Sequence, residues 1–272
     1  MVSRYIKFGT ILAGALLFLT ILLFVFAAKK QSSRANALWE IVHDHCLADI
    51  QAHHNPAPCT EVDLTAGEVN GFATLKDSQG KAQYLLIPTA KITGIESPAL
   101  LAPDATNYFA DAWTATSLVD EQTHSALQRT DFALAINSVS GRTQNQLHIH
   151  IDCIRPEVRS AIDQAGSQVG MVWQNFPVKL MGHQYRAIWL PGATLDERNP
   201  FLLLAGSLSH PALEMGSHTL VLAGAERNGK AGFILLDGKA PSLAVAVAPW
   251  VKLGFGSGEE LEDHTCRVAT GT

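Results

Sequence analysis

An α+β fold on an antiparallel sheet, preceded by one membrane-spanning helix, is what this sequence predicts, and three observations predict it. Residues 8–28 ("FGTILAGALLFLTILLFVFAA") carry no charge, and roughly 20 apolar residues at about 1.5 Å rise cross a bilayer core. Downstream, apolar runs bounded by turn residues follow the order hairpin, helix, strands, which belongs to α+β rather than to alternating α/β proteins. The 272 residues, 47% hydrophobic with a net charge of -5, suit one large or two small globular domains and offer no general attraction for nucleic acid.

The N-terminal segment (residues 1–30) reads as a retained anchor. Its rival is a cleaved secretory signal, since Arg4 and Lys7 make a basic start and Val25-Phe26-Ala27 imitates a cleavage site. The apolar run exceeds the usual signal core of about 7–15 residues, which favours retention. Basic residues on both flanks (Arg4 and Lys7 before, Lys29, Lys30 and Arg34 after) leave its orientation open. Cysteine settles the expectation. Cys46, Cys59, Cys153 and Cys266 all follow the span, an even number suited to two disulfides in an oxidising compartment, which places the bulk of the chain outside the cytoplasm. Cys46 and Cys59 flank the Asn55-Pro56-Ala57-Pro58 turn and form the natural first pair; Cys153 with Cys266 would tie the motif strand to the C-terminus. The alternative is four buried free thiols.

Beyond the linker, Leu38, Ile41, Val42, His45 and Cys46 recur at helical spacing, so residues 36–50 read as an amphipathic helix with Asn36 as its cap. "GFATLKDSQGKAQYLLIP" reads as a hairpin about Asp77-Ser78-Gln79-Gly80. Tyr108, Phe109, Ala112, Trp113, Thr116 and Val119 share one face of a helix begun near Thr106. The strands "DFALAIN" and "QLHIHID" follow, joined by a polar loop. Three further strands are expected in "HQYRAIWL", "SHTLVLAGA" and "KAGFILLDG", with a helix about residues 200–209.

The chemistry gathers in "NQLHIHIDCIRP", residues 145–156. Alternation along a strand puts His148, His150 and Asp152 on one side and Leu147, Ile149 and Ile151 in the core. Three readings compete. Two histidines and Asp152 could ligate zinc, although no other well-spaced ligand supports it. A half-exposed strand could simply carry polar residues outward. An imidazole could also attack phosphorus, if neighbours hold its tautomer and stabilise the phosphoryl oxygens. Asn137 at the end of one strand, with Gln144 and Asn145 before the histidine strand, favours the last reading. Their amide donors are expected to converge on the space the imidazoles face. A second cluster, His43, His45, Cys46, His53, His54 and Cys59, invites a zinc assignment, but on a helix His43 and His45 point about 200° apart.

Asn137, Gln144 and His148-Ile149-His150-Ile151 together resemble the histidine-triad (HIT-like) superfamily signature, with Asp152 where a third histidine would stand. A resemblance covering almost the whole chain is closer: "LKDSQGKAQYLLIPT", "TGIESP", "LAINSVSGRTQNQLHIHIDCIRPEVR", "GHQY" and "EMGSH", with the anchor and four cysteines, are similar to the bacterial CDP-diacylglycerol diphosphatases. That resemblance implies a HIT-like antiparallel sheet with helices over residues 31–272 and hydrolysis of CDP-diacylglycerol to CMP and phosphatidate. It also implies a site on the periplasmic side of the inner membrane. His150 would be the nucleophile, forming a cytidylyl-histidine, with His148 orienting it. Asn137, Gln144, Asn145 and Asp152 would meet substrate, Arg142 or Arg155 would counter the second phosphate, and no metal or other cofactor is expected.

Two other functions remain open on the residues: nucleotidyl transfer through the same intermediate, and a non-catalytic nucleotide or lipid sensor. The expected partners are the lipid substrate and the membrane, without nucleic acid. The chain's length further suggests a degenerate second copy from about residue 180, completing a pseudo-dimer.

Overall fold

The structure, a computed structural model, describes residues 35–240 and 257–269. The apolar segment 8–28 lies outside the described residues, among which no helix is long and apolar enough to cross a membrane. The described part is α+β, as the sequence predicts. Its strands are β1 (Glu61–Asp63), β2 (Phe72–Lys76), β3 (Tyr84–Pro88), β4 (Phe132–Ile136), β5 (Ile149–Cys153), β6 (Gln174–Asn175), β7 (Arg186–Pro191), β8 (His218–Arg227) and β9 (Lys230–Lys239). They form one sheet in the order β1-β2-β3-β5-β4-β8-β9-β7-β6, and every pairing is antiparallel.

The expected helix at residue 36 begins at Ala37, passes through a π-helical stretch (Ile41–Leu47) and ends at His53, where His54 takes a left-handed φ of 55°. Its Leu38, Val42 and Cys46 pack on Ala73, Leu85 and Ile87 of the first hairpin. The Cys46–Cys59 disulfide pins it there. The expected helix near Thr106 is broken in two, Tyr108–Thr114 and Ser117–Thr123. A helix over Pro156–Ala165 was not expected from the sequence. Its proline occupies the first turn, where no N–H is needed, and its inward residues are only Val158, Ile162 and Ala165, too sparse a stripe to announce itself.

Each face of the sheet is covered. On one, Leu134, Ile136, Ile149, Ile151, Leu220, Leu222 and Leu235 pack beneath Tyr108, Phe109, Ala112, Phe201 and Leu204, with the Phe109 and Phe201 rings 5.1 Å apart. On the other, Ala133, Ala135, Val221, Ala223, Ile234 and Leu236 lie under Val158, Ile162, Phe176, Leu180 and Tyr185. The small alanines of β4 and β8 on this second face let backbone approach closely, and the C-terminal segment uses that room. At Gly258 a Cβ would stand 2.9 Å from Thr219 Oγ1 and 3.2 Å from Ala135 Cβ.

Gly224 on β8 performs a similar task on the first face. A Cβ there would come within 2.0 Å of the Arg129 carbonyl oxygen and 2.7 Å of the Trp113 ring. The Arg129 guanidinium is itself stacked against Trp113 and Phe233 at 5.0 and 4.6 Å. Overpacking a filled site costs about 1–3 kcal/mol. Gly224→Ala should therefore lower the urea midpoint by a corresponding amount with an unchanged m-value. An unaltered midpoint would mean that the Arg129 turn is not held against β8.

Candidate active site

Strand β5 lies between β3 and β4, with His150 opposite Leu85 on one side and Ala135 on the other. Ile149, Ile151 and Cys153 therefore enter the helix-covered core, while His150 and Asp152 share the face of Ala133 and Ala135. His148 stands just before the strand. The three are buried, at 7%, 5% and 0% exposure for His148, His150 and Asp152. Polar groups that deep need partners, because an unpaired one costs on the order of 1–3 kcal/mol.

His148 finds its partner locally. Its Nδ1 lies 2.7 Å from the Gln146 carbonyl and donates to it, which leaves Nε2 as the lone-pair nitrogen. Burial, with the nearby His150 charge, lowers its pKa to about 4, so the ring is neutral at physiological pH. Its edge meets the His150 ring at 4.9 Å between centroids.

His150 is held from two directions. The Gln83 amide lies 2.9 Å from Nδ1; with the amide N–H donating, the proton of a neutral ring sits on Nε2. That nitrogen lies 3.0 Å from Glu259 Oε1. Glu259 also accepts from Asn137 Nδ2. Asn137 Oδ1 in turn accepts from Gly258 N–H at 2.8 Å, so one amide fixes the C-terminal segment across the imidazole. Burial alone would raise the Glu259 carboxyl, but His150 and the Asn137 amide outweigh it and hold the pKa down to about 2.

Asp152 accepts from the Cys153 N–H (2.8 Å) and contacts His264 Nδ1 at 2.8 Å. The bond to Asp152 raises the pKa of His264. Beside them the buried Glu262 has no hydrogen-bond partner on either oxygen. Burial, then the charges of Asp152 and Glu259, raises its pKa well above the ordinary value, so it keeps its proton. Both expected disulfides are formed, and Cys153–Cys266 locks this corner.

The other residues singled out in the sequence lie nearby in supporting positions. Gln144 Oε1 accepts from Leu38 N–H at 3.3 Å. Asn145 is exposed, and its N–H is donated to the Ala35 carbonyl. Neither amide makes a hydrogen bond to an imidazole. Gln83, and the backbone of Gln146, do so in their place. Arg142 forms a forked pair with Glu96 at 2.5 and 2.7 Å, and Arg155 Nε donates to the Glu260 carbonyl at 2.6 Å. His183 Nδ1 contacts the Glu260 carboxylate at 2.6 Å. In the N-terminal cluster Cys46 and Cys59 are consumed by their disulfide, His53 pairs with Asp49, and His43 stacks on Trp39. Among the described residues no group of three His, Cys, Asp or Glu side chains could hold a metal ion.

Glu262 generates a test with a defined sign. In the native state it holds its proton above the ordinary carboxyl pKa, whereas the unfolded chain releases it, so this group makes stability fall as pH rises above about 4.5. Glutamine cannot ionise. Glu262→Gln should match the parent protein near pH 4 and gain on it towards pH 8, by up to about 1.4 kcal/mol per pH unit. Parallel stability curves for the two proteins would refute the buried, protonated carboxyl.

Comparison with known proteins adds a family. Residues 33–270 match a family model described as CDP-diacylglycerol pyrophosphatase. A Yersinia pestis protein described as CDP-diacylglycerol pyrophosphatase is 40% identical over 266 residues, covering 98% of this chain and 97% of that protein. Among solved structures, a DUF4931 family protein from Bacillus cereus is 15% identical, covers 70% of this chain and 92% of its own, and gives a TM-score of 0.41.

Proposed function

The chain belongs to the CDP-diacylglycerol pyrophosphatase family, and from that premise we propose that it cleaves CDP-diacylglycerol to CMP and phosphatidate through a cytidylyl-histidine at His150. It is an enzyme of anhydride hydrolysis; the covalent route is the part that needs support. One observation carries it: an anionic oxygen, Glu259 Oε1, already rests 3.0 Å from His150 Nε2 and on the Asn137 amide. A phosphoryl oxygen entering the same cradle would displace the carboxylate. It would bring phosphorus to roughly the 3–3.5 Å from which attack begins.

Attack needs a lone pair on Nε2. With the Gln83 amide turned about its terminal torsion, Oε1 faces Nδ1 and accepts from it, which favours the tautomer that carries the ring proton on Nδ1. Nε2 then attacks the cytidine-side phosphorus in line, the phosphatidate oxygen departs with its bonding pair, and the resulting imidazolium keeps Gln83 Oε1 as its acceptor. Asn137 Nδ2–H stabilises charge on a non-bridging oxygen, where excluded water makes each such bond count for more. Neutral His148 packs against the His150 ring and orients it. Arg142 and Arg155, with Gln144 and Asn145, frame the loop and the C-terminal segment. For either arginine to reach the second phosphate it would have to leave Glu96 or the Glu260 carbonyl. Water then opens the nitrogen–phosphorus bond.

Residues 8–28 would tether the site to the bilayer that holds the substrate's acyl chains, raising effective concentration. Two disulfides support placement on the periplasmic side of the inner membrane. The strand order β2-β3-β5-β4 is repeated inward from the opposite edge as β6-β7-β9-β8, which supports a degenerate second copy. Its β9, in the place of β5, has the sequence "KAGFILLDGK" and no histidine.

Rapid quenching during CDP-diacylglycerol turnover should reveal the mass of CMP on the peptide containing His150. His150→Ala should remove the adduct and lower kcat at least about 10³-fold, and chelators should leave the rate unchanged. Undiminished turnover in His150→Ala, or loss of activity with a chelator, would overturn the mechanism.

A further inference from the structure

We propose that His264 is the proton donor to the departing phosphatidate oxygen, held in the site by Asp152. This rests on His150 as the nucleophile. Asp152 follows His150 by two positions on the same face of β5, about 6.5–7 Å further along the strand. A diphosphate laid along β5 with one phosphorus on His150 thus carries its bridging oxygen toward the Asp152–His264 pair. Asp152 is unsuited to donate: it is fully buried, and one oxygen accepts from the Cys153 N–H while the other meets His264 Nδ1. A bare carboxylate there would repel the leaving anion. An imidazolium would attract it.

The position of His264 is built by several contacts. Its carbonyl accepts from Lys81 N–H (2.7 Å), the preceding Asp263 N–H donates to the Cys153 carbonyl (2.8 Å), and Cys266 is joined to Cys153. With Nδ1 on Asp152, Nε2 is the nitrogen left to donate, from a side chain 36% exposed. The charged groups about it are Asp152 on β5, Glu259 on the C-terminal segment and Arg155 after β5. Asp152 is foremost among them in holding the proton on. Neither nearby glutamate competes for the role. Glu259 is ionised, and both oxygens of Glu262 are sealed from solvent.

The step balances. The His150 Nε2 lone pair forms the bond to phosphorus, the bond from phosphorus to the bridging oxygen breaks, and that oxygen takes the bonding pair and the proton of His264 Nε2. Neutral His264 then accepts a proton from the water that attacks the adduct, which releases CMP and restores both rings.

The test compares two substrates: CDP-diacylglycerol, and the 4-nitrophenyl ester of CMP, whose phenolate leaves without needing a proton. His264→Gln should lower kcat on the lipid about 10²–10⁴-fold, the range of general acid catalysis, with little change in KM. It should retain most of the parent rate of first-turnover nitrophenolate release from the nitrophenyl ester, the step that precedes the shared hydrolysis of the adduct. The parent enzyme should lose kcat at alkaline pH on the lipid alone. Equal loss on both substrates, or no loss on either, overturns the proposal. If the variant does not fold, an alkaline limb shared by both substrates in the parent, or missing from both, does so. Adduct formation at His150 is read separately with the nitrophenyl ester. Its absence alongside a substrate-selective loss would remove the nucleophile and leave the acid.

Discussion

The constraint on which the site depends is the desolvation of one face of an interior strand. β5 has neighbours on both edges and cover on both sides, so His148, His150 and Asp152 have lost the water that would ordinarily satisfy them. Replacement partners arrive from separate parts of the chain. The Gln146 backbone serves His148, Gln83 beside β3 serves His150, and the C-terminal segment brings Glu259 and His264. Leaving a buried charge such as Asp152 without its counterpart would cost about 3–5 kcal/mol. The packing of residues 257–269 onto the sheet is therefore dictated by the same residues that supply the chemistry.

That packing is secured at both ends of the segment. Cys153–Cys266 closes a loop with a sequence separation of 113, and a loop of about that length removes up to roughly 4.7 kcal/mol of unfolded-state entropy in the chain-entropy account. Residues 263–266 are thus fixed beside β5. Gly258–Leu261 is a short 3-10 turn, tied down by the buried Leu261, by Arg155 on the Glu260 carbonyl and by His183 and Tyr185 on the Glu260 carboxylate, and its hold on the imidazole runs through Asn137 and Glu259. In the proposed mechanism a phosphate that replaces Glu259 breaks only that last contact, so Glu260, Leu261 and His264 keep their positions.

Much of this was legible in the sequence. Alternation along "HIHID" fixed which residues face the site, because a strand's two-residue period leaves no choice once Ile149 and Ile151 are buried. The first hairpin, β4, β7, β8, β9 and both disulfides were equally readable. Gln83, Gln146, Glu259, Glu262 and His264 were missed because their roles depend on tertiary register. Gln83 precedes β3 by one residue, and nothing local says that β3 lies beside β5. His264 left a signal that could have been used: pairing Cys153 with Cys266 already puts residue 264 close to residue 152. Gln144 and Asn145 were favoured by adjacency to the motif, but the chain turns between them and His148, and it is the next residue, Gln146, that faces inward.

The electrostatics bear on how a site with three acidic side chains could accept a diphosphate. Glu262 keeps its proton, so it carries no charge. Asp152 is matched by His264. Glu259 retains a full charge and occupies the cradle itself, so in the proposed mechanism substrate entry would exchange one anion for another instead of adding to it. Arg142 and Arg155 are already engaged with Glu96 and the Glu260 carbonyl, and what stands beside His150 is mainly oriented dipoles such as the Asn137 amide. Fixed dipoles need no reorganisation as charge shifts onto the phosphoryl oxygens. In the proposed mechanism they would also hold the product less tightly than a cluster of free cations, and the displaced carboxylate would be at hand to take the cradle back as CMP leaves.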